Sequence, residues 1–357
     1  MEYFIIFIVA IIFASLADKY FQRIKLRCLF LLLALLPPVL LAALRADTIG
    51  IDVTWYITPT YSDIEKVKTF SRFLDTLEKE KVFYVILFFV AKIFKSLFAI
   101  HLVNQLIIMV PIILLMTYIR SMSNVRIWKM YAFYLFLQYN LSLCVIRQNV
   151  AFSIFLLGFY FLLHHKYVLY SVFALLAAFS HNSTIIPIII FSILCFYRNK
   201  VVTKKAQLVL LSSLSLIIVF YQTILSQFSF LIDDVYLGRM QDADSNSGGY
   251  ITLAFIILMA LLPFFYRKKI PSNVFFLVYI PLMGALFSIL ARDSTYIGRL
   301  SIPFSILTCI TIPLCLEKMK VYYLFLSIVV CYWYVSFIDR ELWETYPYLM
   351  DNRFNMF

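Results

Sequence analysis

The stretch RADTIGIDVTWY, residues 45–56, follows an uncharged apolar run and carries side chains suited to acid–base and anion-binding chemistry. Asp47 and Asp52 can take a proton from a hydroxyl group, and the Arg45 guanidinium can hold two oxygens of one anion. Tyr56 follows Asp52 by four residues. The alternative is the polar end of a membrane span, with arginine at headgroup depth and aspartate capping the next helix. Taken together, these residues favour a functional site over the polar end of a span.

A second candidate is NLSLCVIRQNVAF, residues 140–152, in which Arg147 and Gln148 stand between two apolar runs. An ionisable side chain near the bilayer centre costs about 2.5–3.5 kcal/mol and tends to face a polar cavity. No acidic residue is nearby in sequence, so the pattern predicts an unpaired arginine that faces outward. Such a guanidinium suits a diphosphate, which it can bind through two oxygens. The alternative is an ordinary arginine at the end of a loop.

A third candidate is His181 in AAFSHNSTIIP, where polar residues interrupt a long apolar run. The alternative interpretation is a structural histidine. The interruption predicts a break between two short helices, and non-helical backbone at membrane depth survives only beside protein or a water-filled cavity. This placement favours a functional histidine.

The stretch ARDSTYIGR near the C-terminal end is a fourth candidate. Arg292, Tyr296 and Arg299 fall on the same predicted face of the membrane as the first three candidates. They are therefore candidate substrate contacts. In the alternative interpretation Arg292 only pairs with Asp293 in a surface loop.

Several motifs that would indicate other chemistry are missing from the sequence. It contains no HExxH, no Walker loop, no GxSxG and no run of histidines and carboxylates at metal-ligand spacing. The six cysteines form no CxxC pair. These residues therefore require neither a metal nor a cofactor, and metal dependence stays open.

The composition indicates an all-α, polytopic integral membrane protein. The chain is 63% hydrophobic and 14% charged, whereas soluble domains are about 45–50% apolar and about 25% charged. Apolar runs of span length predict helices, because backbone in lipid must close its own hydrogen bonds. About twelve spans are predicted, near residues 3–17, 28–44, 102–119, 130–145, 150–163, 168–180, 184–196, 206–227, 250–265, 274–291, 300–314 and 321–337.

The predicted number of spans depends on how two apolar runs are interpreted. The run 168–195 is interpreted as two short helices that meet at His181. The run 82–98 is not counted, because Lys92 and Lys95 share a helical face, which suits a helix lying in the membrane interface. The alternative keeps 82–98 as a span and treats 168–195 as one helix.

The distribution of charge supports this arrangement. The loops that it places inside hold 17 of the 31 Lys and Arg residues but only Asp18 and Glu317 as acids. Basic loops face the cytoplasm, so both termini and the long segment 45–101 are predicted to lie outside. The net charge of +12 is explained by this topology and does not indicate nucleic acid binding. The whole chain, 1–357, is predicted to be a single transmembrane domain.

The candidate stretches resemble a known family. RADTIGIDVTWY, EKEKVFYVILFF, VIRQNVAFSI and AAFSHNST occur in that order, and the set is similar to the EpsG family of exopolysaccharide and O-antigen polymerases, which are Wzy-like proteins. The family often shows Glu-Pro-Gly where this chain has Glu80-Lys81-Val82, so the resemblance assigns no role to Glu80. Family positions carry over to Arg45, Gly50, Asp52, Tyr56, Arg147, Gln148 and His181.

The resemblance implies a lipid-dependent glycosyltransferase of the GT-C type, with juxtamembrane helices in the first external loop. Asp52 would then be the base or the carboxylate that orients the acceptor, with Asp47 as its rival. Arg147 and Arg45 would bind the diphosphate, and His181 would hydrogen bond or transfer a proton. Tyr56 and Gln148 would contact the substrate.

The resemblance also implies a setting and partners. The protein would lie in the bacterial inner membrane and take polyprenyl diphosphate-linked oligosaccharides. Its partners would be membrane lipid, a chain-length regulator and a flippase, with no nucleic acid. The alternatives are a flippase or transporter of lipid-linked oligosaccharides and a glycan ligase. The residues do not indicate which sugar or linkage is involved.

Overall fold

The computed structural model describes residues 2–77, 80–196, 198, 212, 250–290, 295–317, 319–341 and 345–351. Over these ranges the regular structure is helical. Contacts divide the chain into two compact units, one formed by Met1–Ile188 with Glu317–Phe357 and the other by Ile189–Leu316. The single-domain assignment stays a prediction.

The first unit holds eleven of the helices described here. They are α1 (Glu2–Lys19), α2 (Ile24–Ala43), α3 (Thr58–Lys66), α4 (Phe70–Asp75), α5 (Lys81–Phe94), α6 (Leu97–Ser123), α7 (Ile127–Leu137), α8 (Tyr139–Cys144), α9 (Ile146–Leu163), α10 (Tyr167–Ser180) and α16 (Val321–Trp333). The second unit holds most of α11 (Ile185–Phe196) and also α12 (Tyr250–Phe265), α13 (Tyr279–Leu290), α14 (Thr295–Ser305) and α15 (Thr308–Leu316).

Long apolar helices pack side by side to make the first unit. α1 packs on α2 and α7, and α9 packs on α6 and α10. Aromatic side chains fill the core between α1, α7 and α16, where the rings of Phe7, Phe136 and Trp333 contact one another. The apolar composition that indicated membrane helices therefore also supplies the packing between them.

Four described helices are long and apolar enough to cross a membrane: Ile24–Ala43, Leu97–Ser123, Ile146–Leu163 and Val321–Asp339. A fifth span results if Gly298–Ser305 and Thr308–Leu316, which are bent by 43°, count as one. The prediction of an all-helical chain with apolar helices of span length is confirmed over the described residues. Twelve spans and the GT-C arrangement stay predictions, and the predicted span 206–227 lies outside the described residues.

One end of the first unit is held together by ion pairs. Asp18 lies 3.3 Å from Arg120 and accepts a hydrogen bond from the Trp128 backbone. Glu317 lies 3.3 Å from Lys129. These contacts join the last turns of α1 and α6 to the start of α7 and to the segment before α16. These parts of the chain were predicted to lie on one face, and Asp18 and Glu317 are the only acids in the loops predicted to lie inside.

Helix α5 does not run from the end of the first unit that carries the Asp18 and Glu317 ion pairs to the opposite end. The residue before it, Glu80, contacts His181, and α6, which follows it, places His101 against Arg45. Both ends of α5 therefore lie at the same end of the unit, as expected if 82–98 does not cross.

The Lys92 side chain joins α5 to the end of α3. The Lys92 ammonium donates to the carbonyl oxygens of Ile64 and Val67, both at 2.7 Å. These carbonyls lie at the C-terminal end of α3, where backbone acceptors lack partners within the helix. Lys92 therefore caps α3.

The break predicted near His181 is confirmed. Helix α10 ends at Ser180, a short 3₁₀ turn covers Asn182–Thr184, and α11 starts at Ile185. His181 has extended backbone between the two helices. The polar run HNST therefore ends one helix and starts the next.

Candidate functional site

The site is built around the first turn of α9. The chain breaks at Val145, where α8 ends and α9 begins, with φ −97° and ψ 65°. Backbone N–H groups in the first turn of a helix have no acceptor within the helix. The Arg147 N–H instead donates to Asp52 Oδ2 at 3.1 Å. Asp52 thus caps α9 from a segment 95 residues earlier in the chain.

The Arg147 guanidinium lies between two carboxylates and a ring. Its Nη1 donates to Glu80 Oε2 at 2.7 Å, and its Nε is 3.8 Å from Asp52 Oδ2. The Tyr56 ring centroid is 3.5 Å from Cζ, a cation–π distance. The prediction of an unpaired arginine is therefore wrong, because acids distant in sequence reach it.

Glu80 links the arginine to the histidine. Its second oxygen, Oε1, is 3.3 Å from His181 Nε2. Its backbone lies in the left-handed region, with φ +56°, which costs a residue other than glycine about 1–3 kcal/mol. Sequence reasoning missed Glu80, although an acid directly before an apolar helix was a signal that could have found it.

The hydrogen bonds of His181 favour one neutral tautomer. Its Nδ1 accepts the Ser183 backbone N–H at 3.2 Å and lies 2.8 Å from the Ser183 hydroxyl. In a neutral imidazole, a nitrogen that accepts is unprotonated, so the proton is on Nε2. That N–H faces Glu80. The side chain of His181 is 19% exposed, against 9% for Glu80.

Tyr84, in the first turn of α5, also borders the Arg147 guanidinium. Burial raises the pKa of this phenol, and the nearby arginine opposes that shift. Tyr84 thus keeps its proton at neutral pH and contributes a hydroxyl next to the Arg147 guanidinium.

Gly50 lets the segment that carries Asp52 lie against the break before α9. Its φ is +93°, and a Cβ added there would overlap the Leu143 carbonyl oxygen. Only glycine accommodates both the conformation and the close approach. The family position that the resemblance assigned to Gly50 therefore has a steric reason.

Arg45 is buried and does not join the Arg147 cluster. It is 2% exposed, with Nη1 donating to the Leu143 carbonyl at 3.1 Å and Nη2 lying 3.1 Å from His101 Nδ1. Burial lowers the pKa of Arg45, but a guanidinium remains charged. His101 was missed because a histidine inside an apolar helix gives no sign of its partner.

Two further predicted residues of the first unit lie beside the cluster in sequence. Asp47 is half-buried, and its carbonyl accepts from the Thr54 hydroxyl at 3.4 Å. Gln148 follows Arg147 in α9 and is 1% exposed. Their roles stay predictions.

The remaining candidates belong to the second unit. Arg292 lies outside the described residues, and Tyr296 lies in α14 with its side chain outside the description. Arg299 is exposed on the same helix. All three stay predictions. Within the described ranges, no three His, Cys, Asp or Glu residues gather where they could hold a metal.

Comparison with known proteins identifies a family. The EpsG family profile covers residues 28–350. No curated protein and no solved structure matches the chain. With its apolar helices, the chain therefore belongs to the EpsG family, the membrane-protein family of Wzy-like polysaccharide polymerases.

Proposed function

We propose that this protein joins lipid-linked oligosaccharide repeat units into a longer polysaccharide at the outer face of the bacterial inner membrane. An acceptor sugar hydroxyl attacks the anomeric carbon of the growing chain. The new bond is carbon to acceptor oxygen, and the bond to the polyprenyl diphosphate breaks. The hydroxyl proton goes to a base, and the negative charge goes to the departing diphosphate.

The observation that carries this proposal is the setting of Arg147. The planar guanidinium of Arg147 packs against the Tyr56 ring and lies between Asp52 and Glu80. The Arg147 side chain is 13% exposed. A guanidinium has five donor hydrogens, more than these two carboxylates use. The guanidinium can therefore donate hydrogen bonds to a diphosphate while it remains paired with the two carboxylates. Fixed cations next to a developing anion are effective because they need no rearrangement during reaction.

Three carboxylates can serve as the base. Asp52 is the first choice, with Asp47 as its rival, because Asp52 lies against the arginine that would bind the leaving group. Glu80 with His181 is a second pair, in which the histidine can pass a proton to or from the carboxylate. The reaction as written uses these side chains and no metal.

The proposed partners follow from the reaction. Two lipid-linked substrates must meet at the site, so the donor and acceptor are both polyprenyl diphosphate-linked oligosaccharides held in the bilayer. A flippase supplies them from the inner face, and a chain-length regulator limits the product. A flippase activity of this chain itself, or a ligase activity, is the alternative.

The test uses purified protein in liposomes with synthetic lipid-linked repeat units on both sides. The wild type makes longer glycans with no other protein present. Asp52→Asn keeps an acceptor for the Arg147 N–H but removes the charge and basicity. It slows chain growth by about 10²–10⁴-fold if Asp52 is the base. Asp63→Asn, on the exposed α3 carboxylate, is the matched control and retains the wild-type rate.

The alternatives give different results in the same assay. Unchanged chain growth by Asp52→Asn would keep the enzyme but remove Asp52 as base, since asparagine caps a helix about as well as aspartate. Lipid translocation without chain growth by the wild type would instead indicate a flippase. Transfer to an unrelated lipid acceptor alone would indicate a ligase.

A further inference from the structure

The C-terminal segment Thr345–Asp351 pairs with the backbone around Arg45. The Ala46 N–H donates to the Leu349 carbonyl at 2.8 Å, and the Asp351 N–H donates to the Leu44 carbonyl at 3.0 Å. This is an antiparallel bridge centred on Arg45 and Met350. It joins the start of the candidate site to residues some 300 positions later in the chain.

Two tyrosine hydroxyls fix the same segment. Tyr348 donates to the Leu41 carbonyl at 2.8 Å, and Tyr3 donates to the Thr345 carbonyl at 2.7 Å. Burial raises the pKa of Tyr348 to about 12, so its hydroxyl keeps the proton it donates. The Asn140 side-chain amide donates to the Thr345 hydroxyl at 3.2 Å.

Arg45 continues the connection towards Arg147. Its backbone lies in the bridge, and its Nη1 donates to the Leu143 carbonyl. Leu143 is two residues before the break at Val145 from which α9 begins. A hydrogen bond from a charged donor is stronger than a neutral one, and a carbonyl near the end of α8 lacks a helical partner. The guanidinium thus holds the segment that orients Arg147.

We propose that Arg45 is a positioning residue, which the C-terminal segment fixes in place and which in turn fixes the break that presents Arg147. This differs from a direct role in diphosphate binding. The structural part stands alone, and the effect on catalysis rests on the proposed function. A small shift of a substrate-binding group far from a mutated residue can cost about 10²-fold in rate.

The experiment measures hydrogen exchange and kinetics of the full chain in nanodiscs. The reporter is the peptide covering 143–149, which contains the Arg147 amide bonded to Asp52. Arg45→Gln and Arg45→Lys test the guanidinium. Tyr3→Phe with Tyr348→Phe removes both hydroxyls and leaves the aromatic rings in place. Tyr322→Phe is the matched control, because its buried hydroxyl donates to the Lys129 carbonyl at the opposite end of the unit.

For Arg45→Gln, we expect exchange of the reporter amides to rise about tenfold while the second half of α9 stays unchanged. The kcat for chain growth falls with little change in KM. Arg45→Lys restores part of both, since an ammonium can still donate to Leu143. The double tyrosine variant moves both readouts in the same direction, and Tyr322→Phe moves neither.

Two results would overturn the proposal. Unchanged exchange with a raised KM in Arg45→Gln would make Arg45 a direct ligand of the substrate. Wild-type exchange and kcat in the double tyrosine variant would show that the C-terminal segment does not act through Arg45. If the wild type makes no polymer, the proposed function fails, but the exchange measurement still decides whether Arg45 holds the break.

Discussion

At the scale of single residues, the central feature is an ion-pair cluster assembled from distant segments. Arg147 meets Asp52 and Glu80, which precede it by 95 and 67 residues, and Glu80 also meets His181. Each carboxylate oxygen of Glu80 faces a different donor. Arg147 and His181 therefore share one acidic partner, Glu80. The local sequence around Glu80 did not indicate this central position.

Glu80→Gln tests this dependence. A glutamine has one acceptor oxygen and one NH₂ group, so it turns a donor towards either Arg147 or His181. A donor left facing a buried donor costs about 1–3 kcal/mol, so we expect the initial rate of chain growth to fall by about tenfold or more. The measurement uses purified protein and lipid-linked repeat units. Glu65→Gln, an exposed acid on α3, is the control. Equal rates for the two variants would exclude a central role for Glu80.

The residue types at the site could be predicted, but their partners could not. Asp52, Arg147 and His181 stand out because charged or titratable groups are costly in an apolar chain. Nothing in the local pattern shows that a carboxylate 67 residues away will reach Arg147, since that depends on how α5 packs. The same limit applies to Arg45 and His101, whose pairing requires that α2 and α6 lie side by side.

At the scale of elements, the break between α8 and α9 is held at three points by the segment 45–52. Arg45 donates to the Leu143 carbonyl, Gly50 packs against that carbonyl, and Asp52 accepts the N–H of the α9 first turn. The break is thus defined by contacts with another segment. The hydropathy of the sequence alone would not locate the break between α8 and α9, because only a few polar residues interrupt the apolar residues on either side of it.

Gly50→Ala should disrupt this arrangement. A side chain at φ +93° is strained, and its Cβ would overlap a backbone oxygen that cannot move as a side chain can. We expect a loss of about 1–3 kcal/mol in stability together with a large loss of polymer. Thermal unfolding in detergent and the chain-growth assay measure the two effects. The neighbouring Thr48 is exposed, so Thr48→Ala should change neither. Wild-type behaviour of Gly50→Ala would mean that the segment can withdraw from Leu143 without harm.

At the scale of the whole molecule, the first unit has two chemically different ends. One carries the Arg147 cluster, and the other carries the ion pairs of Asp18 and Glu317 with basic residues. The charge distribution of the sequence predicted which segments would meet at each end. The number of spans was less accessible to prediction, because several apolar helices are shorter than a membrane crossing requires.

Cysteine labelling tests which end faces outward. In a background without the six native cysteines, Glu65→Cys on α3 should react with an impermeant reagent in intact cells. Lys166→Cys, exposed between α9 and α10, should react only after permeabilisation. The basis is the excess of Lys and Arg expected in cytoplasmic loops. Labelling of Glu65→Cys only from the cytoplasm would place the Arg147 cluster on the wrong side for the proposed reaction.

The bridge between Arg45 and Met350 also sets an order of events during biosynthesis. A ribosome adds about 5–20 residues per second, so the roughly 300 residues between the two partners take about 15–60 s to make. During that time α2 has already been synthesised, but the backbone beside Arg45 still lacks its partner. Chains that stop before residue 345 retain every side chain of the Arg147 cluster and lack the segment that completes its support. Maturation of the site is therefore tied to translation of residues 345–351.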